Sequence, residues 1–221
     1  MIRIGGMTAM TGIDFPGRLA AVLFLQGCPW RCGYCHNPDL LPARGDVEIP
    51  WSTVEAFLHR RQGLLDGVVF SGGEPTLQPA LGDAVAAVRG LGFQTALHTG
   101  GMYPARLAAL LPALDWIGLD IKALPARNAE VTTAAGSGER VWRSLDHVLD
   151  SGIAYECRTT WHPRLYPEDE LLRLADALAA RGVHHWSLQQ CRGPGYPAEE
   201  WQLHAADALA ARFAHFVLRR A

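Results

Sequence analysis

Short apolar runs alternate along this chain with segments whose apolar residues recur at every third or fourth position. The runs have the length of buried strands, and they predict six of them, at 19–26, 67–70, 93–97, 116–121, 154–160 and 185–189. Helical spacing predicts helices between and after them, at 52–62, 77–91, around 107–111, 141–151, 167–182 and 201–216. The first helix is expected to start at a capping box, 52–55, and the polar segment 125–140 is expected to be a loop.

This alternation is typical of a parallel sheet with right-handed crossovers. Six units are fewer than the eight of a closed barrel, so the predicted fold is α/β, a partial, open β/α barrel of about six parallel strands with the helices outside. The polar and glycine motifs fall at the carboxyl ends of the strands, where such a fold carries its site. With 221 residues and no linker or repeat, residues 1–221 are expected to form a single domain.

Composition narrows the class of protein. The chain is 49% hydrophobic, has a formal net charge of −2 and contains no run of Lys or Arg, which argues against a nucleic-acid partner. The longest apolar stretch, 19–25, is too short to span a bilayer, and the N-terminus lacks signal-peptide features. Three of the five cysteines are clustered, which indicates metal or redox chemistry in a reducing cytoplasm rather than disulfides. We therefore expect a cytoplasmic protein without a membrane partner.

The clustered cysteines, Cys28, Cys32 and Cys35, directly follow the first predicted strand with the spacing C-x3-C-x2-C. A structural zinc site normally has four ligands, and a [4Fe–4S] cluster usually takes one cysteine per iron. Three thiolates in one loop therefore favour a cluster with one iron open to a ligand. Two alternatives are a zinc site completed by the adjacent His36, which has poor geometry for the same ion, and three buried cysteines.

A second motif, 71–75, ends the second predicted strand with the sequence Ser-Gly-Gly-Glu-Pro. Gly72 and Gly73 would let backbone carbonyls approach a ligand closely, and Glu74 could accept a hydrogen bond from a ligand ammonium. The alternative is a plain strand-to-helix turn, with Pro75 at the helix start.

The cysteine spacing, with Tyr34 just before the third cysteine, resembles the cluster loop of radical S-adenosylmethionine (SAM) enzymes, and 71–75 resembles their Gly-Gly-Glu-Pro motif. The resemblance implies a [4Fe–4S] cluster on the three cysteines and SAM chelating the fourth iron. It places Tyr34 near the adenine and places Gly72, Gly73 and Glu74 at the methionine amino group. It also implies reductive cleavage of SAM to methionine and a 5′-deoxyadenosyl radical.

Further segments, 12–17, 25–28, 35–38, 118–122 and 187–190, resemble the glycyl-radical-enzyme activating proteins, most of all those of anaerobic ribonucleoside-triphosphate reductase. The resemblance implies that the partner is a glycyl-radical enzyme, that flavodoxin or ferredoxin donates the electron, and that the chain holds one cluster. A second hypothesis is a radical SAM enzyme acting on a small molecule, nucleoside or short peptide. A third is a zinc-stabilised binding module.

The same resemblance suggests further SAM contacts. It places Asp120 and Lys122 beside SAM, with Lys122 near the carboxylate, although an ion pair at the barrel mouth is the alternative for Asp120. At 98–101 this chain has His-Thr-Gly-Gly where relatives carry Asp-Thr-Asn-Gly, and it lacks the acidic group thought to hold a cation there. His98 is expected to be a polar contact of the site or a satisfied histidine at a strand end.

Three polar or sulfur-bearing positions on the later strands remain. Arg158 and Thr160 should face the barrel interior, and one of them is expected either to contact the SAM ribose or carboxylate or to fill the interior. Cys157 is expected to be a thiol in the hydrophobic core. Cys191 lies at a strand end, where it could reach the cavity.

Overall fold

The computed structural model describes residues 1–193 and 195–220, and its main feature is one eight-stranded sheet whose spatial order follows the sequence. The strand bounds are Ile4–Thr11 (β1), Ala20–Leu25 (β2), Gly67–Gly72 (β3), Gln94–Thr99 (β4), Trp116–Asp120 (β5), Ala154–Trp161 (β6), His185–Gln190 (β7) and His215–Arg219 (β8). β1 pairs with β2 antiparallel, and every later neighbouring pair is parallel. The sheet does not close, because β1 and β8 are its two ends.

The six predicted strands correspond to β2–β7, so the prediction of an open, parallel β/α barrel is confirmed. β2, with the sequence AAVLFL, shows why these strands could be predicted from sequence, since five of its six residues are buried. Strands of a parallel sheet covered on both faces read as continuous apolar runs. β1 and β8 extend the sheet by one antiparallel and one parallel strand beyond the prediction.

Along the sequence, the α-helices fall between successive strands from β2 onward. Their bounds are Trp51–His59 (α1), Leu81–Gly90 (α2), Pro104–Leu110 (α3), Pro125–Thr132 (α4), Ser137–Ser151 (α5), Glu168–Ala180 (α6) and Ala206–Ala210 (α7). Short 3₁₀ turns occur at Pro38–Leu40, Pro75–Leu77, Leu111–Ala113 and Ala198–Glu200. The longest α-helix, α5, has 15 residues, and no helix in the described part of the chain is long and apolar enough to cross a membrane.

Three predictions were wrong in the helical part of the fold: the cap of the first helix, the loop at 125–140 and the extent of the last helix. The capping box does not form: α1 starts at Trp51 after Pro50, and no side chain caps it. The segment predicted as a loop, 125–140, contains α4 and the start of α5. Its helical face was hidden in the sequence because buried polar residues occupy it, with Asn128 and Thr132 both bonded to the Ser137 hydroxyl.

The third error concerns the last predicted helix, 201–216, which is reduced to α7. Phe216, placed on that helix by its spacing from the earlier apolar residues, instead belongs to β8.

The barrel interior differs between its two halves. Along β2–β5 it is filled by small apolar side chains and by Phe15, which enters from the β1–β2 loop and lies 6.1 Å from the Trp116 ring. Along β5–β8 it carries charges, because the register pairs Asp120 with Arg158 and because Arg219 reaches Glu156 at 2.8 Å. The fold therefore places a polar interior directly below the carboxyl ends of β5–β7.

Candidate active site

A cavity of about 320 Å³ lies at the carboxyl ends of β2–β7. This volume is within the range of small-molecule sites. The structure brings all of the predicted site residues to its wall: Cys28, Cys32, Tyr34, Cys35, Gly72, Gly73, Glu74, His98, Asp120, Lys122 and Arg158. Parallel strands end at one edge of the sheet, so motifs up to 130 positions apart in the sequence (28 to 158) share one wall.

The cysteine loop leaves β2 and is held by backbone hydrogen bonds. Cys28 N donates to Leu41 O at 3.1 Å, and Cys35 N donates to Cys32 O at 3.0 Å. The three thiols are free and half-buried. Burial raises the pKa of Cys28 to about 11 and also raises that of Cys32, so a metal that binds here must displace their protons.

The donor set fits a [4Fe–4S] cluster. Within residues 1–193 and 195–220, no three His, Cys, Asp or Glu side chains are arranged to hold a single metal ion. The three thiols nevertheless line the same cavity. In a cluster each thiolate binds a different iron, so the thiols need to surround a common volume and not a common ion. The zinc alternative would require Cys28, Cys32, Cys35 and His36 to converge.

The Gly-Gly turn packs against the cysteine loop. Glu74 N donates to Gly27 O at 2.9 Å, and a Cβ on Gly73 would lie 2.4 Å from the same Gly27 oxygen. Gly72 has φ of +109°, and its Cβ would meet the backbone of Leu25 at 2.4 Å. The two glycines thus allow the end of β3 to touch the backbone that leads into the cysteines, a packing role that their sequence motif alone did not indicate.

Glu74 is fully buried and joins the ends of β3 and β4. Its Oε1 accepts hydrogen bonds from Thr76 N at 3.0 Å, from Thr76 Oγ1 at 2.5 Å and from Thr99 Oγ1 at 2.6 Å. Its Oε2 accepts from Gly100 N at 2.9 Å. Burial raises the pKa of Glu74, and these donors oppose the rise. Glu74 therefore has a structural role; its contact with the SAM amino group stays a prediction.

Asp120 lies between two cations. Its Oδ1 is 3.0 Å from Arg158 Nη2, and its Oδ2 is 3.4 Å from Lys122 Nζ. Burial alone would raise the pKa of Asp120, but Arg158 and Lys122 outweigh it and hold the pKa below its ordinary value. Lys122 Nζ also lies 5.4 Å from the centre of the Tyr34 ring. The ion pair predicted as the alternative for Asp120 is therefore present, and it is part of the cavity wall.

His98 is a buried, neutral acceptor. Burial, followed by the charge of Arg158, lowers the pKa of His98 to about 3. Its Nδ1 lies 3.2 Å from Arg158 Nη1 and must accept, so the proton sits on Nε2 and is donated to Asp14 O at 2.8 Å. His98 is therefore a satisfied histidine at a strand end that also lines the cavity, and a direct contact with SAM stays a prediction.

Several cavity residues were missed by sequence reasoning. Trp30, Asp14 and Met102 line the wall. Asp14 belongs to a segment used for the family resemblance, but nothing in the sequence showed that its loop turns into the barrel. Thr160, which was predicted to face the barrel interior, also lines the cavity, and its Oγ1 donates to Oε1 of Gln189, a further lining residue, at 3.4 Å.

The two remaining cysteines lie in the hydrophobic core. Cys157 and Cys191 are 0% and 1% exposed, and neither lines the cavity. Burial raises the pKa of Cys191 to about 12. The core position predicted for Cys157 is confirmed, whereas the cavity position considered for Cys191 is wrong, because its side chain turns into the core beneath the strand end.

Comparison with known proteins agrees with this geometry. Residues 22–160 match the model of the radical SAM superfamily. A protein of Methanocaldococcus jannaschii, provisionally named a glycyl-radical enzyme activating enzyme, is 30% identical over 185 residues, covering 78% of this chain and 73% of its own length. The pyruvate formate-lyase-activating enzyme of Clostridium pasteurianum is 36% identical over 179 residues, covering 78% of this chain and 74% of its own length.

A solved structure shows the same fold. SuiB of Streptococcus suis, in complex with S-adenosylmethionine, superposes with a TM-score of 0.66 at 15% identity. The match covers 89% of this chain and 48% of SuiB, so the chain spans about half the length of that protein. At 15% sequence identity, this similarity supports a shared fold and nothing further.

Proposed function

The chain belongs to the radical SAM superfamily, and from that premise we propose that it generates a glycyl radical on a partner enzyme. It is an enzyme of the glycyl-radical-activating type, and the cofactors of its family are a [4Fe–4S] cluster and SAM. The observation that carries the proposal is the meeting of the three cysteines of one loop with a charged wall of strand ends in a single cavity.

Each group of residues that lines the cavity has a proposed role. Cys28, Cys32 and Cys35 would anchor three irons of the cluster, and Gly72, Gly73 and Glu74 would face the SAM amino group. When bound and reduced, the cluster supplies the electron that splits SAM into methionine and a 5′-deoxyadenosyl radical. Burial alone would lower the pKa of Lys122, but the neighbouring Asp120 carboxylate helps to hold that pKa well above its ordinary value, so the ammonium is a cation suited to the SAM carboxylate.

The tyrosine has a packing role in this proposal. Tyr34 is 6% exposed and forms part of the cavity wall, where its ring would pack near the adenine. Its place beside Lys122 keeps the ring next to the group proposed to meet the SAM carboxylate. The two ends of SAM would thus be fixed by neighbouring side chains.

The substrate is proposed to be a backbone glycine in an extended segment of the partner. The sheet is open between β1 and β8, so a chain segment can reach the cavity from the side. The radical would take one hydrogen atom from the glycine Cα, which gives 5′-deoxyadenosine and leaves the unpaired electron on the glycine.

The identity of the partner stays a prediction. The sequence resemblance named anaerobic ribonucleotide reductase, whereas a relative reported above is named for pyruvate formate-lyase. Flavodoxin or ferredoxin as electron donor and a cytoplasmic location also stay predictions. So does a single radical SAM domain over residues 1–221, which is supported by a sheet running from Ile4 to Arg219.

The test is electron paramagnetic resonance on reduced, cluster-loaded enzyme mixed with SAM and a glycyl-radical enzyme from the same genome. We expect a stable glycyl doublet that requires SAM and disappears when the target glycine of the partner is replaced by alanine. Ribonucleotide reductase and pyruvate formate-lyase candidates, run in parallel, identify the partner. Formation of 5′-deoxyadenosine without a protein radical on any candidate would favour a small-molecule substrate and contradict the proposal.

A further inference from the structure

The guanidinium of Arg158 sits inside the barrel, on the wall of the cavity. Its side chain is 12% exposed. Nε and Nη2 donate to Asp120 Oδ1 at 3.1 and 3.0 Å, and Nη1 donates to His98 Nδ1 at 3.2 Å. Three neighbouring strands, β4, β5 and β6, thus meet at one positive group.

The backbone of β5 is shaped to receive this group. A Cβ on Gly118 would lie 2.9 Å from Arg158 Cζ and 3.1 Å from Nη1. Any side chain at 118 would therefore push the guanidinium away from Asp120 and His98. The guanidinium thus occupies the space that a side chain at position 118 would need.

The acceptors around this position have the chemistry of a small cation site. A carboxylate oxygen and a neutral imidazole nitrogen point at one spot in the cavity wall, and the chain's own guanidinium fills it. The guanidinium therefore brings its own positive charge and a fixed set of N–H donors to this position. His98 can take part only as an acceptor, because its other nitrogen is bonded to Asp14 O.

We propose that Arg158 is a built-in cation of the SAM site, which together with Lys122 balances Asp120 and holds the SAM carboxylate, so that no free metal cation binds beside Asp120. Arg158 and Lys122 are the Lys and Arg side chains that line the cavity. One carboxylate oxygen of Asp120 contacts Arg158 and the other contacts Lys122, so SAM would meet two positive groups that are already held in place. The inference concerns SAM binding at this cavity and does not rest on which partner receives the radical.

The experiment measures the SAM dissociation constant of cluster-loaded protein by equilibrium dialysis, without partner or reductant. It is run in a tetramethylammonium buffer free of metal cations, and again with added K⁺, Na⁺ or Mg²⁺. Wild-type affinity should be the same in all of these solutions. Arg158→Gln should bind SAM about tenfold more weakly or worse, as expected for the loss of a charged hydrogen-bonding group. Arg158→Lys, which keeps the charge, should lose clearly less.

Arg219→Gln is the matched control. It removes an arginine from the same barrel interior, where Arg219 pairs with Glu156 away from the cavity wall, and it should leave SAM affinity unchanged. A wild-type affinity for SAM that rises with an added metal cation would overturn the inference. This wild-type measurement tests the inference even if Arg158→Gln fails to fold. Equal losses in Arg158→Gln and Arg158→Lys, or none in either, would overturn it as well. Absence of any SAM binding by the wild type would instead contradict the family's chemistry in this chain.

Discussion

Cys32→Ala is expected to lose its cluster and with it all reductive cleavage of SAM. A cluster held by three thiolates loses one of its anchors, and the loop offers no further thiol, because Cys157 and Cys191 point into the core. After anaerobic reconstitution the wild type should contain about four iron and four sulfide per chain and absorb broadly in the visible. The variant should fall far below this and yield no 5′-deoxyadenosine above background.

Cys191→Ala is the matched control for this loss. Its thiol is 1% exposed and lies away from the cavity. Truncating such a small core side chain should cost about 1 kcal/mol of unfolding free energy through the lost packing. Iron content and SAM cleavage should stay at wild-type levels. A fully loaded, active Cys32→Ala protein would show that Cys32 is not a cluster ligand.

Gly73→Ala is expected to damage the fold and the cysteine loop together. The added Cβ would lie 2.4 Å from Gly27 O and 2.9 Å from Leu40 O, and both of these are backbone atoms. A backbone contact cannot be relieved by a side-chain rotation, so the end of β3 and the loop must separate. Overpacking of this kind costs about 1–3 kcal/mol, and we expect the upper part of this range together with reduced iron loading.

Gly82→Ala provides the comparison. Gly82 lies in α2, and nothing lies within 4 Å of its Cβ position. The higher helix propensity of alanine should leave stability unchanged or raise it by up to about 1 kcal/mol. Denaturant unfolding and iron analysis measure both variants. Wild-type stability and iron content in Gly73→Ala would mean that the contact between the turn and the loop is not required.

The sheet could be predicted only in part from sequence, for a physical reason. β2–β7 are buried on both faces and read as apolar runs, but the end strands are not. β1 has the sequence IGGMTAMT, with two glycines and mostly half-exposed or exposed residues. β8 has five residues, all partly or fully exposed, and its Phe216 lies at helical spacing from the apolar residues before it. A strand with one neighbour carries a weaker pattern than a strand with two.

The residues of the site could be predicted from the sequence, but the contacts between their side chains could not. Local motifs identified the cysteines and the Gly-Gly-Glu turn, because their spacing is itself the requirement of the chemistry. The pairing of Arg158 with Asp120 and His98 depends on the register of β5 against β6, which a single sequence does not reveal. The double role of Glu74, as a tie between two strand ends and a candidate SAM contact, likewise became visible only in three dimensions.

Whether this chain is a SAM-cleaving enzyme is tested most directly by SAM cleavage with the wild-type protein alone. Cluster-loaded enzyme is reduced with dithionite in the presence of SAM, without any partner, and the products are quantified by chromatography and mass spectrometry. We expect 5′-deoxyadenosine and methionine in equal amounts, formed only when reductant and cluster are both present. A protein that carries its cluster and binds SAM but forms no 5′-deoxyadenosine under reduction would contradict the assignment of this chain as a SAM-cleaving enzyme.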